Sequence, residues 1–372
     1  AVTIWLTNNP PPNPAHRTRN GASVTPAIGA STTGGSTRKG PRSRGRTVTG
    51  TPVVCPPMSA ATTGEDPTTR TGSGNHMQPG ILDESVTAFR SQQFRVNLGV
   101  DVGALRRAIG RIRDHAGTER GARHVVVAVG ASLFGTLAPE EMPSGIRPFT
   151  PIEGTDGHSV PATQDDLMLW FTDATADRCL SGAWHARRAL EGLAELTDET
   201  PGFQFFDHED ITGFEDGTEN PTGEDRLEVA TIAQGPAAGG SFVLAQRWVH
   251  DLRAFEALSL RDQEHLFGRT KDGSVELDPL PERSHVERVV MDDDDGDERA
   301  LYRRSLPYGT TDEQGLFFLA FNRDLETFQD MLERMLGAAD GQRAKLTDVS
   351  EPVTSSYYLA PSVEVLDRIV AG

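Results

Sequence analysis

The order in which two hydrophobic periodicities alternate constrains this chain more than any other feature. Phe94, Val96 and Leu98 alternate with Arg95 and Asn97, a period of two that predicts a strand. Asp101 then stands as an N-cap before Val102, Leu105, Ile109 and Ile112, whose spacing predicts a helix. Residues 125–129 read as a buried strand, 167–171 as another, 175–193 as a helix and 203–206 as a strand. That order, β-α-β-β-α-β, is the split βαβ arrangement of a ferredoxin-like unit. A second unit follows, with a strand at 241–248, a helix at 251–267, and strands at 286–290 and 315–321. Leu325, Phe328, Met331, Leu332 and Met335 mark its final helix. The expected fold is therefore α+β, two ferredoxin-like units with antiparallel sheets, over residues 77–210 and 211–372. The Pro- and Gly-rich stretches 139–165 and 221–240 read as surface loops.

Upstream the pattern disappears. Of residues 1–80, 43 are Gly, Pro, Ser or Thr. The same stretch holds eight basic residues against Glu65 and Asp66. Too little apolar surface is present to offset the entropy of ordering, so residues 1–76 are expected to be a disordered basic tail. Ile4-Trp5-Leu6 is too short for the apolar core of a secretory signal. The whole chain carries 36 basic and 54 acidic residues, a net charge of −18, which argues against a nucleic-acid binder. Nothing approaches 18 consecutive apolar residues, so no membrane span is expected. Two cysteines, Cys55 and Cys179, make neither a disulfide framework nor a Cys-rich metal cluster, which points to the cytoplasm.

Three segments could carry chemistry. Gly213-Phe214-Glu215-Asp216-Gly217-Thr218-Glu219-Asn220-Pro221 is a tight turn that lets backbone approach a ligand, although spacing alone favours a plain connecting loop. Ser284-His285-Val286 puts a histidine at the mouth of an apolar run, where most histidines are structural. The acidic run 292–298 suggests a calcium loop, but with Gly296 at the sixth position Met291 and Tyr302 fall where acidic ligands belong. It reads instead as a hairpin turn that carries the chain from His285 back to Arg303. Residues 303–309 then make a second Pro/Gly turn. Phosphate-loop, nucleophile-elbow and His-Glu-x-x-His templates are missing. Cys179 reads as core, and Trp170, Trp184 and Trp248 as core or interface.

Taken in order, the turn 213–221, Ser284-His285-Val286, Arg303 with Pro307-Tyr308-Gly309, and Gly315-Leu316-Phe317-Phe318 resemble the dye-decolourising (DyP-type) peroxidase family. The resemblance covers residues 77–372, and Gly239-Gly240-Ser241-Phe242 with Gly268-Arg269-Thr270-Lys271 points to its compact class B branch. It implies two ferredoxin-like units holding haem b in the second. The implied activity reduces hydrogen peroxide through a ferryl intermediate and oxidises aromatic, dye-like or phenolic donors. By resemblance His285 is the proximal iron ligand, and Asp216 and Arg303 are the catalytic pair on the peroxide side. Glu298, with Asp297 as rival, is implied to hold the other nitrogen of His285. Arg269 is implied to pair with a haem propionate and Phe318 to wall the pocket, with Gly217, Thr218 and Ser305 beside the cofactor.

An aspartate base implies an optimum below pH 7. Ser305 departs from the Asn common in class B, two residues after the distal arginine. Tyr302, Tyr308, Tyr357, Tyr358 and Trp248 are the candidates for passing electrons to bulky donors at the surface. The resemblance also implies a homo-oligomer. Encapsulin cargo is not expected, since no flexible tag follows Leu366. Two other readings compete: a haem-handling protein with incidental peroxidase activity, and a cofactor-free domain whose acidic surface binds partners.

Overall fold

A computed structural model describes residues 76–293 and 296–372. The tail expected over residues 1–76 lies, but for His76, outside the described residues. The first unit contains β1 (Ala88–Val96), α1 (Val102–His115), β2 (His124–Val129), β3 (Leu167–Asp173), α2 (Ala176–Ala189) and β4 (Ala194–Phe203). The second contains β5 (Ser241–His250), α3 (Leu252–Glu256), α4 (Leu260–Phe267), α5 (His285–Val289) and β6 (Tyr302–Arg303). It continues through β7 (Leu306–Gly309), β8 (Gln314–Asn322), α6 (Leu325–Leu336), β9 (Ser350–Ala360) and α7 (Val363–Ala371).

These nine strands form one sheet in the order β4-β1-β3-β2-β9-β5-β8-β6, with β7 also on β8, and Ile152–Glu153 pairs with Ser159–Val160 in a separate two-stranded sheet. Each half repeats the ferredoxin-like order, fourth strand, first, third, second, and every pairing is antiparallel. The halves join through the single Leu359–Val129 pairing of β9 with β2. At the far ends β4 returns to β7: a Cβ placed on Gly202 would lie 2.6 Å from the Pro307 carbonyl oxygen. The sheet thus curls on itself. Phe89, Trp170, Tyr302, Phe317, Phe321 and Tyr358 fill its inner face. The helices cover its outer face.

Local sequence accounts for the outer layer. Asp101 caps α1 by accepting from the Ala104 N–H at 3.1 Å, and Leu105, Ala108, Ile109 and Ile112 form its buried stripe. Leu105, Ile109 and Ile112 each contribute about 1.5–3 kcal/mol on burial. Gly182 lets α2 lie close on β3, since a Cβ there would meet Phe171 at 2.9 Å. α6 starts at the Asp324 cap and stops at Gly337, which takes φ +75°.

Several expectations change. Residues 286–290 are helical, not a strand, because Ser284 accepts from the Glu287 N–H and caps α5. Ser284-x-x-Glu287 is a capping-box pattern that outweighs the β-branched valines. Residues 303–309 are strand rather than turn, with Leu306–Gly309 paired along β8. The last strand of the first unit runs over Ala194–Phe203, its Pro201 tolerated because it lies at the sheet edge. The helix at 251–267 is two helices, the second capped by Ser259. Within 139–165, Phe149, Ile152 and Val160 are buried, so that stretch is part of the core.

Candidate active site

The outer face of the second half-sheet, α5, α6 and the turn 213–221 enclose a cavity with about 240 Å³ of solvent-accessible space. Leu244 and Trp248 of β5 with Leu316 and Phe318 of β8 form one wall. Phe328, Met331, Leu332 and Met335 of α6 form the other. The cavity is therefore mostly apolar, with polar groups at defined points.

His285 lines it from the first turn of α5, where the Ser284 cap fixes the start of the helix. Burial, reinforced by Arg303, pushes its pKa down to about 4, so the imidazole is neutral and able to donate a lone pair. Its Nδ1 is buried with no hydrogen-bond partner. Glu298 lines the same cavity but makes no bond to that nitrogen, and Asp297 is absent from the lining. Asp297 instead donates its backbone N–H to Asp293 Oδ1 at 2.9 Å.

Asp216, Gly217, Thr218 and Arg303 line the same cavity. Burial raises the Asp216 pKa, and Arg303 opposes that shift. Arg303 therefore lies within electrostatic reach of both Asp216 and His285. The turn that presents Asp216 is pinned at several points. The Asp216 N–H donates to the His208 carbonyl at 3.0 Å. Lys271 donates to the Thr212 carbonyl at 2.8 Å and lies over the Phe214 ring. Gly213 takes φ +77°, and a Cβ there would meet Lys271 at 2.9 Å, so glycine is required twice over. Phe214 stacks on Phe267 with centroids 4.1 Å apart.

Arg269 and Phe318 also line the cavity. The Arg269 guanidinium is already engaged by Glu219 at 2.8 Å and Glu276 at 3.3 Å, which compete with the propionate contact implied for it. Ser305 is not part of the lining; its hydroxyl accepts from the Leu319 N–H at 3.2 Å. The site thus brings together Asp216, Gly217, Thr218, Arg269, His285, Glu298, Arg303 and Phe318, and leaves out Asp297 and Ser305.

Sequence reasoning missed the Asp210–His250 pair in the same cavity, His250 Nε2 lying 3.3 Å from Asp210 Oδ1. Only the approach of residues 210 and 250 in the folded chain reveals it. The five aromatics expected at the surface are all buried, Tyr302 and Tyr358 completely. Tyr302, Tyr308 and Tyr358 face into the curled sheet, Trp248 lines the cavity and Tyr357 packs in the helix-covered core. Among the described tryptophans only Trp184, 64% exposed, reaches solvent broadly. Cys179 is core as expected, its thiol pushed up to about 12 by burial.

A model of the N-terminal part of Dyp-type peroxidases matches residues 97–204, and one of the C-terminal part matches residues 207–365. The chain belongs to the DyP-type peroxidase family. The dye-decolorizing peroxidase of Mycobacterium tuberculosis is 35% identical over 251 residues, 66% of this chain and 75% of that protein. Among solved structures, the dye-decolorizing protein from V. cholerae shares 34% identity at a TM-score of 0.72, covering 78% of this chain and 99% of that one. DyPB from Rhodococcus jostii RHA1 shares 32% at 0.71, covering 76% and 94%, and its variants have been solved in complex with heme. The encapsulated DyP-type peroxidase from Mycobacterium smegmatis shares 30% at 0.73, covering 79% and 98%. With an encapsulated relative at that likeness, the expectation against packaging is not carried further. As a DyP-type peroxidase, the chain is an oxidoreductase acting on peroxide. No helix among its described residues is long and apolar enough to cross a membrane.

Proposed function

We propose that His285 would hold haem b against the apolar walls by ligating its iron, and that this peroxidase acts on peroxide through Asp216 and Arg303. The observation that carries the reading is the common cavity: Asp216, Arg303 and His285 all line it, and Arg303 acts electrostatically on the other two. A neutral imidazole with an unpartnered buried nitrogen, set among Phe318, Phe328 and Met331, suits a flat apolar metal complex. Once bound, haem supplies the redox chemistry at the peroxide O–O bond. The chain supplies the rest. The Asp216 carboxylate takes the proton from one peroxide oxygen and returns it to the other, which leaves as water. The Arg303 guanidinium stabilises negative charge on the departing oxygen. A haem-handling role needs neither group, so their presence favours catalysis.

An aromatic or phenolic donor then restores the enzyme. Burial of Tyr302, Tyr308, Tyr357, Tyr358 and Trp248 removes them as surface docking points. A cytoplasmic location and a homo-oligomeric state complete the proposal, the former supported by Cys179 as a buried free thiol. The test is stopped-flow mixing of the haem-loaded enzyme with peroxide. Asp216→Asn and Arg303→Ala are expected to slow the first spectral change about 100-fold or more, at unchanged haem content. Wild-type rates in both variants contradict the assignment.

A further inference from the structure

Arg303 belongs to β6, a strand of two residues held to β8 on one side only. Its neighbour Arg304 donates its N–H to the Leu319 carbonyl at 2.7 Å, so the peptide groups of Arg303 face the open edge. A short edge strand leaves such groups unpaired. Here one side chain satisfies both. Asn220 Oδ1 accepts from the Arg303 N–H at 2.8 Å, and Asn220 Nδ2 donates to the Arg303 carbonyl, also at 2.8 Å. The amide thus copies the pair of bonds a neighbouring strand would make. Asn220 is also the last residue before Pro221 in the turn that carries Asp216, and its N–H is fixed to the Gly217 carbonyl at 2.9 Å.

We propose that Asn220 is a positioning residue that sets Arg303 relative to Asp216, touching neither peroxide nor cofactor. It is absent from the cavity lining, whereas both residues it connects belong to it. Asp216 and Arg303 lie far apart in sequence and on different elements, and the Asn220 amide is the hydrogen-bonded link between the Asp216 turn and the arginine's own peptide. Asparagine is needed because the clamp uses one donor and one acceptor on a planar group. Aspartate keeps the acceptor and loses the donor. Alanine loses both.

The inference rests on the roles given to Asp216 and Arg303, and a double-mutant cycle in the haem-loaded enzyme separates the two. Asn220→Ala is expected to lower the second-order rate with peroxide about 10- to 100-fold, since small misplacements of reacting groups have effects of that order. Haem content and the rate of the later step with a phenolic reductant stay unchanged. Asn220→Asp is expected to fall between alanine and wild type, and serves if the alanine variant does not fold. In an Arg303→Ala background, adding Asn220→Ala costs less than about twofold, because the group it positions is gone. A full additional loss in that background overturns the inference, as does a wild-type peroxide rate in Asn220→Ala. If Asp216→Asn and Arg303→Ala are themselves without effect, the functional reading fails and the positioning role with it.

Discussion

Arg303 pulls the Asp216 carboxyl toward ionisation, yet burial of Asp216 outweighs that pull and holds its pKa above the ordinary 3.8. A carboxyl raised in this way is neutral below its pKa and becomes a proton acceptor only as pH rises through it. Since the peroxide step needs the ionised form, kcat/KM for peroxide is expected to climb with pH along a limb above 3.8 and then level. That limb bounds from below the acid-side optimum implied by the family. Arg303→Ala removes the opposing pull and moves the limb to higher pH, whereas Arg303→Lys leaves it nearer to wild type. A pH profile in which the alanine limb stays put or moves down contradicts this balance.

The same shift makes a stability prediction of unusual sign for a catalytic residue. A group whose folded pKa is raised contributes stability that is complete below its unfolded pKa and lost as pH rises through the folded value. At neutral pH the enzyme bears that loss, and asparagine at 216 cannot ionise. Asp216→Asn should therefore raise Tm at pH 7, with the gain shrinking toward pH 4. A lower Tm at pH 7 would falsify it.

Asp210 behaves in the opposite way. Despite burial, its bonds to His250 and Thr212 hold its pKa below the ordinary value. A depressed carboxyl stabilises the fold above its unfolded pKa, and the contribution is lost as pH falls through the folded value. Removing the imidazole with His250→Gln should move acid unfolding, followed by far-UV circular dichroism, to higher pH. An unchanged acid midpoint would show that the pair adds nothing.

Ser284 supports the histidine rather than the chemistry. Its hydroxyl caps α5, and the side chain is fully buried. Loss of such a cap typically costs about 1 kcal/mol. Ser284→Ala is expected to lower Tm and to speed haem loss to an acceptor protein, by freeing the turn on which His285 sits. Equal haem-loss rates in variant and wild type would leave the cap with no part in the site.

The sequence shows the duplicated architecture well because its strands and helices differ in period, and residues 167–171 or 325–336 leave little choice. It shows the last strand poorly. Ser350–Ala360 begins Ser-Glu-Pro-Val-Thr-Ser-Ser, which reads as loop until the neighbouring strand β5 supplies its partner. It misleads at 286–290, where valines suggest a strand but the Ser284 cap sets a helix. His285, Asp216 and Arg303 are recognisable from their motifs. Asn220 stands in the same motif, but its role depends on an open strand edge that only the folded sheet creates. Burial of Tyr302, Tyr308 and Tyr358 has a related cause: closure of the sheet gives it an inside, and periodicity alone does not say which face that is.

The central claim is that His285 holds haem in a cavity where Asp216 and Arg303 act on peroxide. Its most direct test is the visible absorption spectrum of the purified, haem-supplied protein before and after one equivalent of hydrogen peroxide. The account predicts a Soret band that changes at once on mixing and returns when a phenolic reductant is added, and that is lost or displaced in His285→Ala. A protein without a Soret band, or one whose band only bleaches slowly, contradicts it.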